Sequence, residues 1–136
     1  MVTKLLTVVV DCGDPQRQAT FWSQALAYDV SERNPDEFLV SDPDGVATPL
    51  YFMKVPEPKV GKNRLHLDLS AASMDDEVER LVDIGARFVE RRQDPDTLDN
   101  PDTWTVLEDP EGNVFCVSGT PSGWVVSDAT PSPGAG

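Results

Sequence analysis

The feature that most constrains this chain is an internal repeat. The turn Asp42-Pro43-Asp44-Gly45 in the first half is matched by Asp109-Pro110-Glu111-Gly112 in the second, and each precedes the last strand candidate of its half. Around these turns the pattern reads strand, helix, three strands, and then the same again. A long-period repeat outweighs other fold signals, because each copy is one supersecondary unit that cannot bury its own apolar face. An isolated four-stranded half would also leave its edge strands open. Pairing two halves edge to edge solves both problems. The expected fold is therefore α+β: two βαβββ modules forming a curved, half-barrel mixed sheet, with the helices on the outer face and a concave cleft on the inner one.

The segments support this order. Leu5 to Cys12 is β-branched and reads as a strand, broken by Gly13. Asp14-Pro15 gives a helix start, with a carboxylate at the N-cap and proline at the first helical position. Phe21, Trp22, Ala25 and Leu26 then form one apolar stripe at helical spacing. Strands are predicted over Tyr28 to Arg33, Glu37 to Ser41 and Leu50 to Val55, separated by Pro- and Asp-rich turns. Residues 56–63 read as the linker. The second module opens with a strand from Arg64 to Ser70, followed by a helix with Ser73 and Asp76 as a capping box. Val78, Leu81, Val82 and Gly85 are assigned to its inner face. Strands over Arg87 to Arg92, Thr103 to Glu108 and Asn113 to Ser118 complete it, with a polar loop over 93–102. One domain over 1–119 results, with module 1 at 4–55 and module 2 at 64–118. Residues 120–136, rich in Pro, Gly, Ser and Thr, read as a flexible tail in which Trp124-Val125-Val126 docks locally.

The 24 acidic and 11 basic residues give a formal net charge of -13. Such a surface repels phosphate backbones and anionic headgroups, so nucleic acid and membrane surfaces are not expected partners. A cationic or neutral small molecule fits better, while the plain alternative is that the charge serves solubility. The longest apolar run, around Leu5 to Val10, is far short of the roughly 20 residues a membrane span needs. With no leader pattern, the expected location is cytoplasmic. Cys12 and Cys116 form no CxxC pair and read as free thiols.

Strand alternation sorts the side chains that could carry chemistry. Leu65, Leu67 and Leu69 are predicted to face the core, which places His66 and Asp68 together on the opposite face. Phe115 and Val117 would join the core, with Val114, Cys116 and Ser118 on the face of His66. Leu6, Val8 and Val10 would lie inside and Thr7, Val9 and Asp11 on the cleft face. His66 is the only histidine, so any histidine chemistry must use it. A His and an Asp on one face could act as a base with its orienting group, or as two ligands of a divalent ion. A polar face that simply meets water is the competing reading. Tyr51, Phe52, Met53 and Trp104 are candidate ligand-lining residues, with core packing as their alternative. Cys116 is a candidate ligand contact, metal ligand or nucleophile, or a thiol that only packs. There is no phosphate-binding glycine loop, no GxSxG elbow and no His-rich metal set.

The stretch from Val8 to Val30, with Asp14, Phe21-Trp22 and Leu26-Ala27, resembles the opening of vicinal oxygen chelate proteins, the glyoxalase/bleomycin resistance protein/dioxygenase superfamily. The stretches Leu65 to Val89 and Asp109 to Val117 resemble the opening and closing of a second module. The closest likeness is to the glyoxalase-like domain branch, over roughly residues 4 to 118. In metal-using members the ligands sit on the first and last strands of each module. Carried over, those positions fall on Thr7, within Tyr51 to Met53, on His66 and on Cys116. Only His66 is a strong ligand, so the resemblance implies no full family metal site, and a divalent metal would need a rebuilt set of His66, Asp68 and Cys116. It implies a small-molecule-binding protein with a cleft centred on His66 and Asp68, and homodimerisation. The alternative is a lyase or isomerase with His66 as general base or as ligand of an unusual metal site, but not glyoxalase I or an extradiol dioxygenase proper. A scaffold without a small ligand is the third reading.

Overall fold

A computed structural model describes residues 2–93 and 103–119. The order is β1 (Val8–Cys12), α1 (Pro15–Leu26), β2 (Asp29–Asn34), β3 (Glu37–Ser41), β4 (Leu50–Lys54), β5 (Asp68–Ser70), α2 (Met74–Asp83), β6 (Arg87–Gln93), β7 (Thr103–Glu108) and β8 (Val114–Ser118). This is the predicted repeat of one strand, one helix and three strands. The tail and most of the polar loop lie outside the described residues.

Each module builds a four-stranded mixed sheet, ordered β1-β4-β3-β2 and β5-β8-β7-β6. In both, the first and last strands of the module pair parallel and the remaining neighbours pair antiparallel. The matching connectivity is the structural form of the sequence repeat. The sheets do not close into a barrel. β1 and β5 are each edge strands, with no hydrogen-bonded ladder between them among the described residues.

The helix boundaries follow local chemistry. Asp14 Oδ1 accepts from the Arg17 N–H at 3.1 Å and Pro15 opens α1. The α1 end turns through Ala27, whose φ of +57° is left-handed, a conformation usually given to glycine. Ser73 caps α2 by accepting from the Asp76 N–H at 3.4 Å. Gly85, two residues past the end of α2, has φ +127°, which glycine adopts without a Cβ penalty.

One core joins the modules. Phe21 and Trp22 of α1 meet edge-on, with ring centroids 5.1 Å apart, and Trp22 lies 5.0 Å from Phe115 of β8. Phe38, Val40, Leu50 and Phe52 from module 1 and Leu81, Leu107, Phe115 and Val117 from module 2 are buried in the same cluster. Polar links run across it as well. The buried Asp109 carboxylate accepts from Gln18 Nε2 at 2.9 Å and Trp22 Nε1 at 3.1 Å. Glu111 accepts from the Gly13 and Asp14 N–H groups at the start of α1. Arg80 of α2 donates to the Gln24 and Ala25 carbonyls near the end of α1. The first-module turn does none of this: Asp42 accepts from its own Asp44, Val46 and Ala47 N–H groups. The repeat is therefore symmetric in topology and asymmetric in docking.

Four residues face otherwise than expected. Leu6 and Leu65 are not core residues, with 82% and 81% of their surfaces exposed, because the chain around each precedes the strand proper. Val82 is largely exposed, since α2 buries a narrower stripe through Leu81 and Val78. Phe52, a candidate for the cleft, is fully buried: it pairs across β3 with Phe38 and lies beside Val10, so it belongs to the core face.

Candidate functional site

The sheet register assigns each candidate to a face, because residues directly opposite one another share a side. In module 2, Asp68 pairs with Cys116 and Cys116 with Val106, while Ser118 pairs with Trp104 and Trp104 with Arg92. Cys116 and Trp104 therefore lie on the side away from Leu107, Phe115 and Val117, with Asp68. His66 lies just before β5 and is exposed with Asp68, as alternation predicts.

The three groups converge. His66 Nε2 is 3.2 Å from Asp68 Oδ1. One ligand atom from each of His66, Asp68 and Cys116 falls within 4.8 Å of the others. The imidazole and carboxylate are open to solvent, whereas Cys116 is buried beneath them. Burial pushes the Cys116 thiol up from its ordinary range, and the Asp68 charge and hydrogen bond add to this, against the opposing pull of Lys62 and Arg92. Cys116 is thus a protonated thiol unless a cation replaces its proton.

Module 1 presents a separate row. Val9 pairs with Tyr51 and Tyr51 with Leu39, and Asp11 pairs with Met53 and Met53 with Glu37. Tyr51 donates from its hydroxyl to Glu37 Oε1 at 2.8 Å, which raises the tyrosine pKa. Thr7, at the first-strand ligand position, spends its hydroxyl on the Pro49 carbonyl at 3.0 Å. Among the described residues, no hydrogen bond or ion pair joins Thr7, Asp11, Tyr51 or Met53 to His66. The structure brings together His66, Asp68 and Cys116, sets Trp104 on their face, and leaves the module 1 candidates on their own sheet.

Cys12 is a different kind of thiol. It is buried, donates to the Met53 carbonyl, and is pushed up to about 12 by burial and by the carboxylates of Glu111, Asp14, Asp11 and Asp109. An open groove of about 410 Å³ lies by the start of α1, lined by Asp14, Arg17, Phe21, Gly85 and Pro110 among others, and includes none of the His66 cluster. One residue of the site region escaped the sequence reading. Asn63, placed in the linker, is hydrogen-bonded to both Leu65 and Val114. An asparagine ahead of a strand was the only signal, and it reads equally well as a turn residue.

The donor set can be tested against the metal chemistry of the superfamily. Imidazole, carboxylate and thiol suit zinc or another borderline ion better than magnesium or calcium, which prefer oxygen alone. Three protein ligands within this spacing would leave a coordination position for a small molecule.

Comparison with known proteins places this geometry in context. The family model described as "Glyoxalase-like domain" matches residues 7–118. No curated protein sequence matches the chain. Among solved structures, the fold is similar to a glyoxalase/bleomycin resistance protein/dioxygenase family enzyme from Burkholderia phytofirmans, at 19% identity over 85% of this chain and 97% of that one, with a TM-score of 0.66. A glyoxalase-related enzyme from Fulvimarina pelagi is similar at 17% identity, covering 93% and 94% of the two chains, with a TM-score of 0.66. The fosfomycin resistance protein FosX from Listeria monocytogenes, in complex with Mn(II) and a dihydroxypropylphosphonic acid, is similar at 12% identity, covering 87% and 90%, with a TM-score of 0.67. At these identities the structures speak for the fold alone. Matched by its family model from the first strand to the last, on a fold of two repeated modules, the chain belongs to the glyoxalase-like domain family.

Proposed function

We propose that this protein binds a small molecule on the module 2 sheet face, at a site centred on His66, Asp68 and Cys116. The observation that carries this reading is the convergence of their ligand atoms within 4.8 Å, with two of the three side chains open to solvent. A divalent ion of the zinc type is the cofactor this set suits, held by the imidazole, the carboxylate and the thiolate that metal binding would generate. When bound, such an ion supplies a Lewis acid for a ligand oxygen. The hydrogen bonds of Thr7 and Tyr51 within module 1 support a site other than the full ligand pattern the family resemblance describes.

The 3.2 Å approach of His66 to Asp68 favours one further reading, a lyase or isomerase in which Asp68 orients His66 as general base. The test is a titration of the purified chain with Zn²⁺ by calorimetry, repeated on His66→Ala. Stoichiometric binding that disappears in the variant supports the metal-assisted site. No binding in the wild type, with turnover that still depends on His66, favours the metal-free base.

A homodimer belongs to the same proposal. The open edges of β1 and β5 and the exposed Leu5, Leu6 and Leu65 beside them are surface that a second copy would cover. Sedimentation of the full chain at micromolar concentration tests it, and a monomer would overturn it. No helix among the described residues is long and apolar enough to cross a membrane, and a cytoplasmic location completes the proposal.

A further inference from the structure

Between the linker and β5 the chain runs beside β8 without entering its ladder. In a parallel pair each alternate residue of one strand uses its N–H and C=O on the same neighbour, in evenly spaced rungs. β8 follows this rule toward β5: Cys116 N–H donates to the Leu67 carbonyl at 3.0 Å, and the Ser118 carbonyl accepts from Ala71 N–H at 2.9 Å. Asp68 stands opposite Cys116. The same register carried back two residues sets His66 opposite Val114 and assigns the Val114 N–H to the Leu65 carbonyl.

That rung is occupied by a side chain. Asn63 Oδ1 accepts from Val114 N–H at 2.9 Å, and Asn63 Nδ2 donates to the Val114 carbonyl at 3.1 Å and to the Leu65 carbonyl at 2.5 Å. One carboxamide satisfies three backbone groups that strand pairing would otherwise have to satisfy. Its orientation is fixed by the same partners, since the reversed amide would set Oδ1 against two carbonyl oxygens. The inserted amide holds the chain before β5 off β8. This is why the strand begins at Asp68 rather than Arg64, and why Leu65 faces solvent instead of the core.

We propose that Asn63 is the positioning residue of the His66 site: its carboxamide replaces the ladder rung between Leu65 and Val114 and so sets the imidazole against Asp68 and Cys116. This rests on the reading that the His66 cluster is the functional site. Among the described residues, the hydrogen bonds of the Asn63 side chain go to Leu65 and Val114 and not to the three side chains it serves. It acts through the backbone on either side of His66 and through Val114, two residues before Cys116.

The test uses the full chain and two variants. Asn63→Ala removes the splint. Asn63→Asp keeps its shape and the acceptor for Val114 N–H, but loses the donor and turns a carboxylate oxygen toward two carbonyls. Proton NMR reads the nuclear Overhauser signal between the His66 ring and the Cys116 Cβ protons, and calorimetry reads Zn²⁺ affinity. The expected result is disappearance of that signal in both variants and a drop in Zn²⁺ affinity of at least about tenfold, as for other residues that orient metal ligands from outside the coordination shell. The methyl signals of Leu107 and Val117 should stay native. If Asn63→Ala fails to fold, Asn63→Asp alone carries the test. A wild-type Overhauser signal and affinity in Asn63→Asp would overturn the proposal, because a residue that only fills space tolerates its isostere. If Asn63→Asp abolishes the signal in a protein that never binds Zn²⁺, the positioning role stands and the metal reading falls instead.

Discussion

The Trp22 indole N–H, on the helix of module 1, donates at 3.1 Å to Asp109 Oδ2, in the β7–β8 turn of module 2. The same carboxylate accepts from Gln18 and Asn113 side chains and from the Glu111 and Asn113 N–H groups. A buried carboxylate with this many donors cannot be removed without leaving them unsatisfied. Asp109→Ala should destabilise the chain by about 3 kcal/mol, since several buried donors would be left unpaired at about 1–3 kcal/mol each. Asp42→Ala, at the matching but exposed turn, should cost far less. Urea denaturation followed by Trp fluorescence measures both, and equal losses would contradict the asymmetry of the repeat.

Phe52 and its neighbours divide along the register. Phe52→Ala should cost about 3–5 kcal/mol as a fully buried aromatic. Met53→Ala, half-buried on the opposite face, should cost markedly less, and thermal melts of the two variants give the comparison directly.

Ala27 holds a left-handed conformation at the end of α1. An L-residue pays roughly 1–2 kcal/mol there and glycine does not. Ala27→Gly should raise stability by about 0.5–1 kcal/mol, the reverse of the usual effect of glycine in helices. A lowered melting temperature would show that the turn is not strained.

Cys12 titrates at about 12 in the folded chain against an ordinary value of 9.0. Between these values the native state keeps a proton that the unfolded chain has released, so stability falls as pH rises through that window. The contribution is fully present below pH 9. Its slope is at most about 1.4 kcal/mol per pH unit for one such group. Denaturant midpoints at pH 8, 9 and 10 should fall more steeply for the wild type than for Cys12→Ala. In the native state neither Cys12 nor Cys116 should react readily with a thiol reagent at pH 8, since burial raises both.

The module order, both helix starts, the turns and the shared face of His66, Asp68 and Cys116 could be read from the sequence, because they rest on local signals. A Pro after an N-cap Asp, alternation along one strand and a turn motif used twice each act within a few residues. Alternation also held the signal that Phe52 faces away from Tyr51 and Met53, although all three stood together as candidates. Other features required the folded chain. The sequence cannot say that Asp109 reaches Trp22 across the module junction while Asp42 turns back on its own backbone, since the two turns are nearly identical. Nor can it say that an asparagine in a linker takes the place of a backbone rung and halts β5 at Asp68. Both are choices of hydrogen-bond partner among groups far apart in the chain. Such choices are made only when packing brings the candidates within about 3 Å and removes the water that would otherwise serve them all equally.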